Sequence, residues 1–230
     1  MPIAFRCPVC LQGLVQHDGE HICTYCNAIE RAEYVCPSHH YQCEACRLAD
    51  AETIVARVCE AACERNPIEI VNLIMTHPSF ADHGVQHHYV VAPAVITAMD
   101  NAGMLAGKRP SVESMISRVH DVPAGSCGNR GDCGACIGAG EVVAIIANAN
   151  PMRGRPRSMV LTACANALLH VASMGGIRCC KQSVYAAIET TDDVLRRSFN
   201  MSLLTSPICC CFADRLTDCK REQCPYFSGL

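Results

Sequence analysis

Hydrophobic and polar positions divide the 230-residue chain into three stretches of different character. Residues 1–47 lack helical periodicity, and short β-hairpins between turn-forming residues are expected there. Residues 48–204 place apolar side chains at three- and four-residue intervals, which predicts a succession of helices. Residues 205–230 show little periodicity of either kind. The fold class read from this pattern is mainly α: a multi-helix bundle with a small N-terminal lobe, 1–47, and a tail, 205–230, packed on the core of 48–204.

Punctuation residues sharpen the helical part. Asp50 is placed to cap a helix running to about Arg65, and Asn66-Pro67 supplies a cap and a first-turn proline for one ending near Thr76. His83 to Asn101 reads as a third helix, kinked at Pro93. Ser111 caps 112–120. Cys133 to Ala149 follows a glycine-rich loop, Arg157 to Met174 stops at Gly175-Gly176, and Cys179 to Phe199 is the last long helix.

Half of the residues are hydrophobic, enough for a real core, and the net charge of −3 offers no general attraction for nucleic acid. The first residues, Met1 to Cys7, lack the apolar run of a secretion signal, and the apolar stretches near 142–149 and 159–172 are too short or too interrupted to span a bilayer. A cytoplasmic protein without a membrane segment is expected. Thiols stay reduced in that compartment, which favours metal ligation. A secreted disulfide scaffold is the disfavoured alternative, because such chains are small and poor in core.

Composition changes the picture most through cysteine, at 20 residues. Four pairs with two intervening residues crowd the first 46 positions: Cys7/Cys10, Cys23/Cys26, Cys36/His39 and Cys43/Cys46. Tight turns of this kind present two ligands each, and two turns close a tetrahedron around Zn2+. Two zinc ions are therefore expected. Sequential pairing, first turn with second and third with fourth, is preferred, with interleaved pairing open and His40 the rival of His39. A structural staple is the favoured role, since a lobe this small has no core and a closed four-ligand site contributes folding energy. Recognition of nucleic acid or a protein partner is the alternative.

Three further segments carry candidate chemistry. In His83-Gly84-Val85-Gln86-His87-His88, His83 and His87 lie four apart, on one face if helical. In Cys127-Gly128-Asn129-Arg130-Gly131-Asp132-Cys133-Gly134-Ala135-Cys136, a flexible loop enters a helix whose N-terminus favours thiolate at Cys133, with Cys136 one turn on. In Arg178-Cys179-Cys180-Lys181, two thiols open a helix between two cations; Arg178 or Lys181 suits an anionic substrate, with a solvated cation the alternative reading for Lys181. Cys127, Cys133 and one of Cys179/Cys180 are expected to share one metal centre, a [4Fe-4S] cluster with an open iron; zinc with an open position is the rival. Cys136 and the tail residues Cys211, Cys219 and Cys224 are further candidate ligands, the tail binding its own metal or completing the core site. His87 or His88 would move protons and Arg178 would orient the substrate. Cys59, Cys63 and Cys164 fall in helical patterns and read as small core residues.

These segments, with Asn66-Pro67-Ile68 and the closing Cys224-Pro225-Tyr226-Phe227, resemble an uncharacterised cysteine-rich domain family of archaea and anaerobic bacteria, over nearly the whole chain. Some members of that family are fused to a class I methyltransferase. The resemblance brings no established activity with it, but it implies a modification, one-carbon or sulfur pathway, with a methyltransferase or redox protein as partner. The chain itself has no glycine-rich βα motif for S-adenosylmethionine. Three functions compete: a cluster-dependent enzyme of sulfur chemistry (desulfidation or sulfur transfer) acting on a small anionic or sulfur-containing substrate; an electron-transfer or metal-handling protein; and a zinc-stabilised recognition module. Few aromatics and no basic run count against nucleic acid without excluding it, Arg153, Arg155 and Arg157 forming one small basic loop.

Overall fold

The structure, a computed structural model, describes residues 5–107 and 109–228. Residues 1–4 and 229–230, the outer edges of the expected lobe and tail, lie outside the described residues, so the reading of the leader falls partly outside them.

The N-terminal lobe is one hairpin, β1 (Val15–Ile22) antiparallel to β2 (Ile29–Val35), in register from Val15↔Val35 to Ile22↔Ile29 with an irregularity between Gln16 and Gly19. Its side chains are mostly exposed, so apolar burial does not hold the strands together. The backbone ladder pairs them, with the cysteine turns at the two ends. Two of them are built alike: Leu11 N–H donates to Cys7 O and Asn27 N–H to Cys23 O, with Leu11 (φ 63°) and Asn27 (φ 59°) both left-handed.

The helices follow in order: α1 (Glu44–Arg47), α2 (Ala51–Ala61), α3 (Pro67–Thr76), a 3-10 turn (Val85–Tyr89), α4 (Val91–Asn101), α5 (Val112–Ile116), α6 (Ser126–Asn129), α7 (Gly134–Ile146), α8 (Gly154–Ser173) and α9 (Cys180–Phe199). The bundle is helical as expected, and its caps are the residues anticipated. Asp50 Oδ1 accepts from Thr53 N at 2.8 Å, Asn66 Oδ1 from Ile68 N at 3.0 Å and Ser111 Oγ from Ser114 N at 3.2 Å. Each satisfies an N–H that the first helical turn leaves without a partner.

Some boundaries differ. The expected helix of 83–101 is two elements, because Gly84 (φ 155°) starts a 3-10 turn and α4 begins only at Val91. Pro93 then sits in the first turn of α4, where its missing N–H leaves no hydrogen bond unmade, and no kink is required. The helix after Asp50 ends at Ala61, and the one after Ser111 at Ile116.

The core centres on α4, buried from Val91 through Met99, with α7 and α9 packed around it and α8 outside α7. α7 is rich in small residues, and Gly138 allows the approach: a Cβ there would lie 3.0 Å from Val91 Cβ. The lobe shares this core through Tyr25, whose hydroxyl pairs with Thr76 Oγ1 at 3.1 Å and whose ring meets His77 edge-on. The tail returns across both parts. Arg215 donates to the Pro8 and Val9 carbonyls of the first turn, and Tyr226 donates to Glu189 of α9 at 2.7 Å.

Candidate metal centres and a thiol cleft

Two four-ligand sets gather in the lobe: Cys7, Cys10, Cys36 and His40, and Cys23, Cys26, Cys43 and Cys46. Within each, the ligand atoms lie within 4.8 Å of one another. Four bonds of ~2.3 Å in a tetrahedron set sulfurs about 3.8 Å apart, and Cys10 Sγ is 3.3 Å from Cys36 Sγ while Cys26 Sγ is 3.7 Å from Cys43 Sγ. Each set thus has the ligand types and spacing to hold one ion.

The pairing is interleaved, not sequential. The register Val15↔Val35 returns Cys36 to the end of the hairpin where the first turn sits, while the second turn joins the strands at the other end. There Thr24 N–H donates to Tyr41 O, and Cys43 N–H lies 3.5 Å from Cys23 Sγ. His39 is corrected to His40. The third turn is one residue tighter than the first two: the left-handed residue is His39 itself (φ 61°), so its side chain is turned out into solvent and His40 Nδ1 comes to 3.7 Å from Cys36 Sγ.

In the helical part several of the candidate loops line one cleft. This cleft is lined by Cys127, Cys133 and Cys180, with His87, His88 and Arg178. Cys127 comes from α6, Cys133 from the cap of α7, Cys180 from the first turn of α9 and the histidines from the 3-10 turn. Gly134 makes this possible, since a Cβ on it would lie 2.3 Å from the Cβ and Cγ of His88. A hydrogen bond with Cys136 holds the Cys133 thiol down at about 6 against its burial. The same contact, with burial, drives Cys136 strongly upward, and Cys136 is fully buried behind Cys133, outside the cleft lining. Burial raises Cys180, opposed by the Gly84 backbone and Arg178. Arg178 is exposed beside these thiols.

The two histidines differ. His87 is buried and lies between Gly84 O, 3.3 Å from Nδ1, and Lys181 Nζ, 3.4 Å from Nε2. Burial, then Lys181, pushes it down to about 3. Its ring is neutral at any ordinary pH, and a proton-moving role does not suit it. His88 Nδ1 is buried with no hydrogen-bond partner, and burial lowers this ring too. His83 does not share a face with His87; it pairs with Asp218 at 2.8 Å. Lys181 is 3% exposed, which rules out the solvated reading. Its ammonium donates to the Ala81 and Asp82 carbonyls, each at 3.2 Å, so a buried cation stands beside the thiols. Charge patterning could not show this, because nothing local distinguishes a buried lysine.

Cys179 and the tail go elsewhere. Cys179 lines a second cleft with Cys210, Cys219 and Cys224. Cys211, expected as a ligand, is exposed and outside that lining; Cys210 takes its place, held by its N–H donating to Tyr226 O at 2.7 Å. A run of three cysteines carries no signal that selects the middle one. Cys59 is fully buried as expected, Cys164 half-buried, and Cys63 exposed beyond the end of α2.

The chain is a cysteine-rich helical bundle whose N-terminal lobe carries two four-ligand sets that could hold metal ions. Residues 55–227 match the family of unknown function DUF5714, and the chain belongs to that family. The matched range contains both clefts and none of the eight lobe ligands. No curated protein and no solved structure matches the chain. Among the described residues, no helix is long and apolar enough to cross a membrane.

Proposed function

We propose that this protein is a zinc-stapled enzyme of sulfur chemistry whose first cleft holds an iron–sulfur cluster on Cys127, Cys133 and Cys180. The observation that carries the reading is the convergence of three thiols, from three separate elements, on one cleft with an exposed guanidinium and an unpartnered imidazole nitrogen. The donor set fits such a group: three soft thiolates leave one metal position open. When bound, the cluster supplies an open iron able to take up sulfur.

The residues around it have separable tasks. Arg178 binds the anionic part of a small sulfur-containing substrate through charge-assisted hydrogen bonds. His88 Nδ1, without a protein partner, accepts a proton or a hydrogen bond from what enters the cleft. His87, between Gly84 O and Lys181, orients the lysine and keeps its charge beside the thiolates. The two lobe sites serve as staples, because the hairpin between them buries too little to fold without them. A redox protein or a methyltransferase is the partner class that fits this chemistry.

The test is anaerobic purification of the full chain with iron, zinc and labile-sulfide analysis and an absorption spectrum. Wild type is expected to contain iron and sulfide and to change its spectrum on addition of hydrosulfide. Cys133→Ala should lose that response while keeping its zinc and helicity. Zinc in place of iron in the cleft, or an unchanged hydrosulfide response in Cys133→Ala, overturns the proposal.

A further inference from the structure

We infer that Cys179, Cys210, Cys219 and Cys224 form a second, closed four-thiolate site that binds its own iron–sulfur cluster, separate from the first cleft. The inference does not rest on the first cleft's chemistry, because none of its four ligands lines that cleft.

Three observations support it. First, the four thiols come from the cap of α9 and from three points of the tail, yet line one cleft. The tail's own order is two short 3-10 turns, Ala213–Arg215 and Arg221–Gln223, and its core anchors Phe212, Leu216 and Tyr226 account for its docking but not for three cysteines lining one cleft with a fourth. Second, every one of the four sulfurs has an N–H directed at it. Gln182 N lies 3.5 Å from Cys179 Sγ, Phe212 N 3.4 Å from Cys210 Sγ, Arg221 N 3.4 Å from Cys219 Sγ, and Gln182 Nε2 3.5 Å from Cys224 Sγ. A neutral thiol is a weak acceptor, and N–H groups gathered on sulfur are the outer-shell arrangement of metal-bound thiolates. The Cys210 and Cys219 contacts, two residues along the chain, repeat what the lobe shows at Cys36, whose Sγ lies 3.4 Å from Ser38 N.

Third, the spacing separates a cluster from a single ion. Among the described residues, only the two lobe sets draw their ligand atoms within 4.8 Å. No three sulfurs of the Cys179 set lie within that distance of one another, a wider spread than the about 3.8 Å that four bonds to one zinc impose. A polynuclear iron–sulfur core, held by four cysteines, is the thiolate-bound group that bridges ligands spread in this way. Cys224 is followed by Pro225, the ending of one common cluster-binding run. Lys220, which lines the cleft, donates to Met174 O at 3.1 Å and Gly175 O at 2.7 Å, fastening the Cys219 loop to the turn that leads into Cys179. Its charge and that of buried Lys181 offset an anionic core.

The two sites are tested separately in the full chain, reconstituted anaerobically with ferrous iron and sulfide and reduced for paramagnetic resonance. A variant lacking the first cleft (Cys127→Ser, Cys133→Ser, Cys180→Ser) is expected to keep one cluster, about four irons with matching sulfide. Adding Cys210→Ser or Cys219→Ser should abolish it. Cys211→Ser, which alters a neighbouring thiol outside the lining, should keep it, so a loss through misfolding of the tail is recognised. The inference is overturned if the first-cleft variant takes up no iron, if it binds a third zinc there, or if its cluster survives Cys210→Ser and Cys219→Ser. A failure of the first cleft's hydrosulfide response leaves these outcomes unchanged.

Discussion

Cys179 and Cys180 are neighbours in the chain, and they line different clefts. Cys179 is the extended cap of α9 (φ −132°, ψ 107°) and Cys180 its first helical residue, so their side chains leave the backbone in different directions. Cys180 joins Cys127 and Cys133, while Cys179 joins the tail. Lys181 follows directly, its buried ammonium next to both. One helix start thereby serves two thiol sites.

The interleaved lobe sites predict which histidine matters. His40→Ala should lower zinc by one equivalent per chain, whereas His39→Ala, altering an exposed side chain, should leave it unchanged. Native mass spectrometry of the two variants checks this. Loss of zinc in His39→Ala alone would show the third turn to be built differently.

The two lobe sites should differ in their reach. Cys46 is fully buried, its carbonyl bonded to His77 Nε2 at 2.9 Å and its sulfur 3.5 Å from Arg57 Nη1. Cys10 is only half-buried, at the far end of the lobe. Cys46→Ser should lower global stability by more than about 3 kcal/mol, as loss of a buried metal site does. Cys10→Ser should chiefly loosen the first turn and the Arg215 contacts. Denaturant unfolding followed by helical circular dichroism distinguishes them.

Gly134→Ala should displace His88. The new methyl would stand 2.3 Å from His88 Cβ and Cγ, so the ring or the helix must move. Overpacking of this kind costs about 1–3 kcal/mol. The cleft should lose its hydrosulfide response while the lobe keeps its zinc. An unaltered response would mean that His88 does not approach α7 this closely.

Glu141 gives the helical core a pH dependence. It is buried in α7, both carboxylate oxygens lack hydrogen-bond partners, and Arg118 stands 3.4 Å away. Burial, opposed by Arg118, raises it from 4.5 to about 7. The folded state therefore holds this proton more tightly than the unfolded chain does. Its stabilising contribution is complete below pH about 4.5 and is lost as pH rises through about 7. Glu141→Gln removes the charge to be buried. The variant should gain on wild type by about 3 kcal/mol at pH 8, with the gain fading toward pH 4.5. Unfolding curves across this range check the sign; a gain that grows in acid contradicts it.

Much of this was legible in the residue order. The metal turns are local, since Cys7/Cys10 or Cys23/Cys26 need only one tight turn to present two ligands, and a repeated gap of two records that. Helix starts at Asp50, Asn66-Pro67 and Ser111 are local too, because a cap bonds within three residues of itself. So is the stop at Gly175-Gly176, both left-handed. Tertiary structure alone decided which turns share an ion, because hairpin register and not sequence order brings Cys36 back to Cys7. It chose His40 over His39 through one left-handed residue, and Cys210 over Cys211 through a single hydrogen bond to Tyr226. It also buried Lys181, whose partners Ala81 and Asp82 lie about a hundred residues away. Residue type and short spacing determine what a side chain can bind; which groups meet depends on long-range packing, which leaves no mark on the residues next to it in the chain.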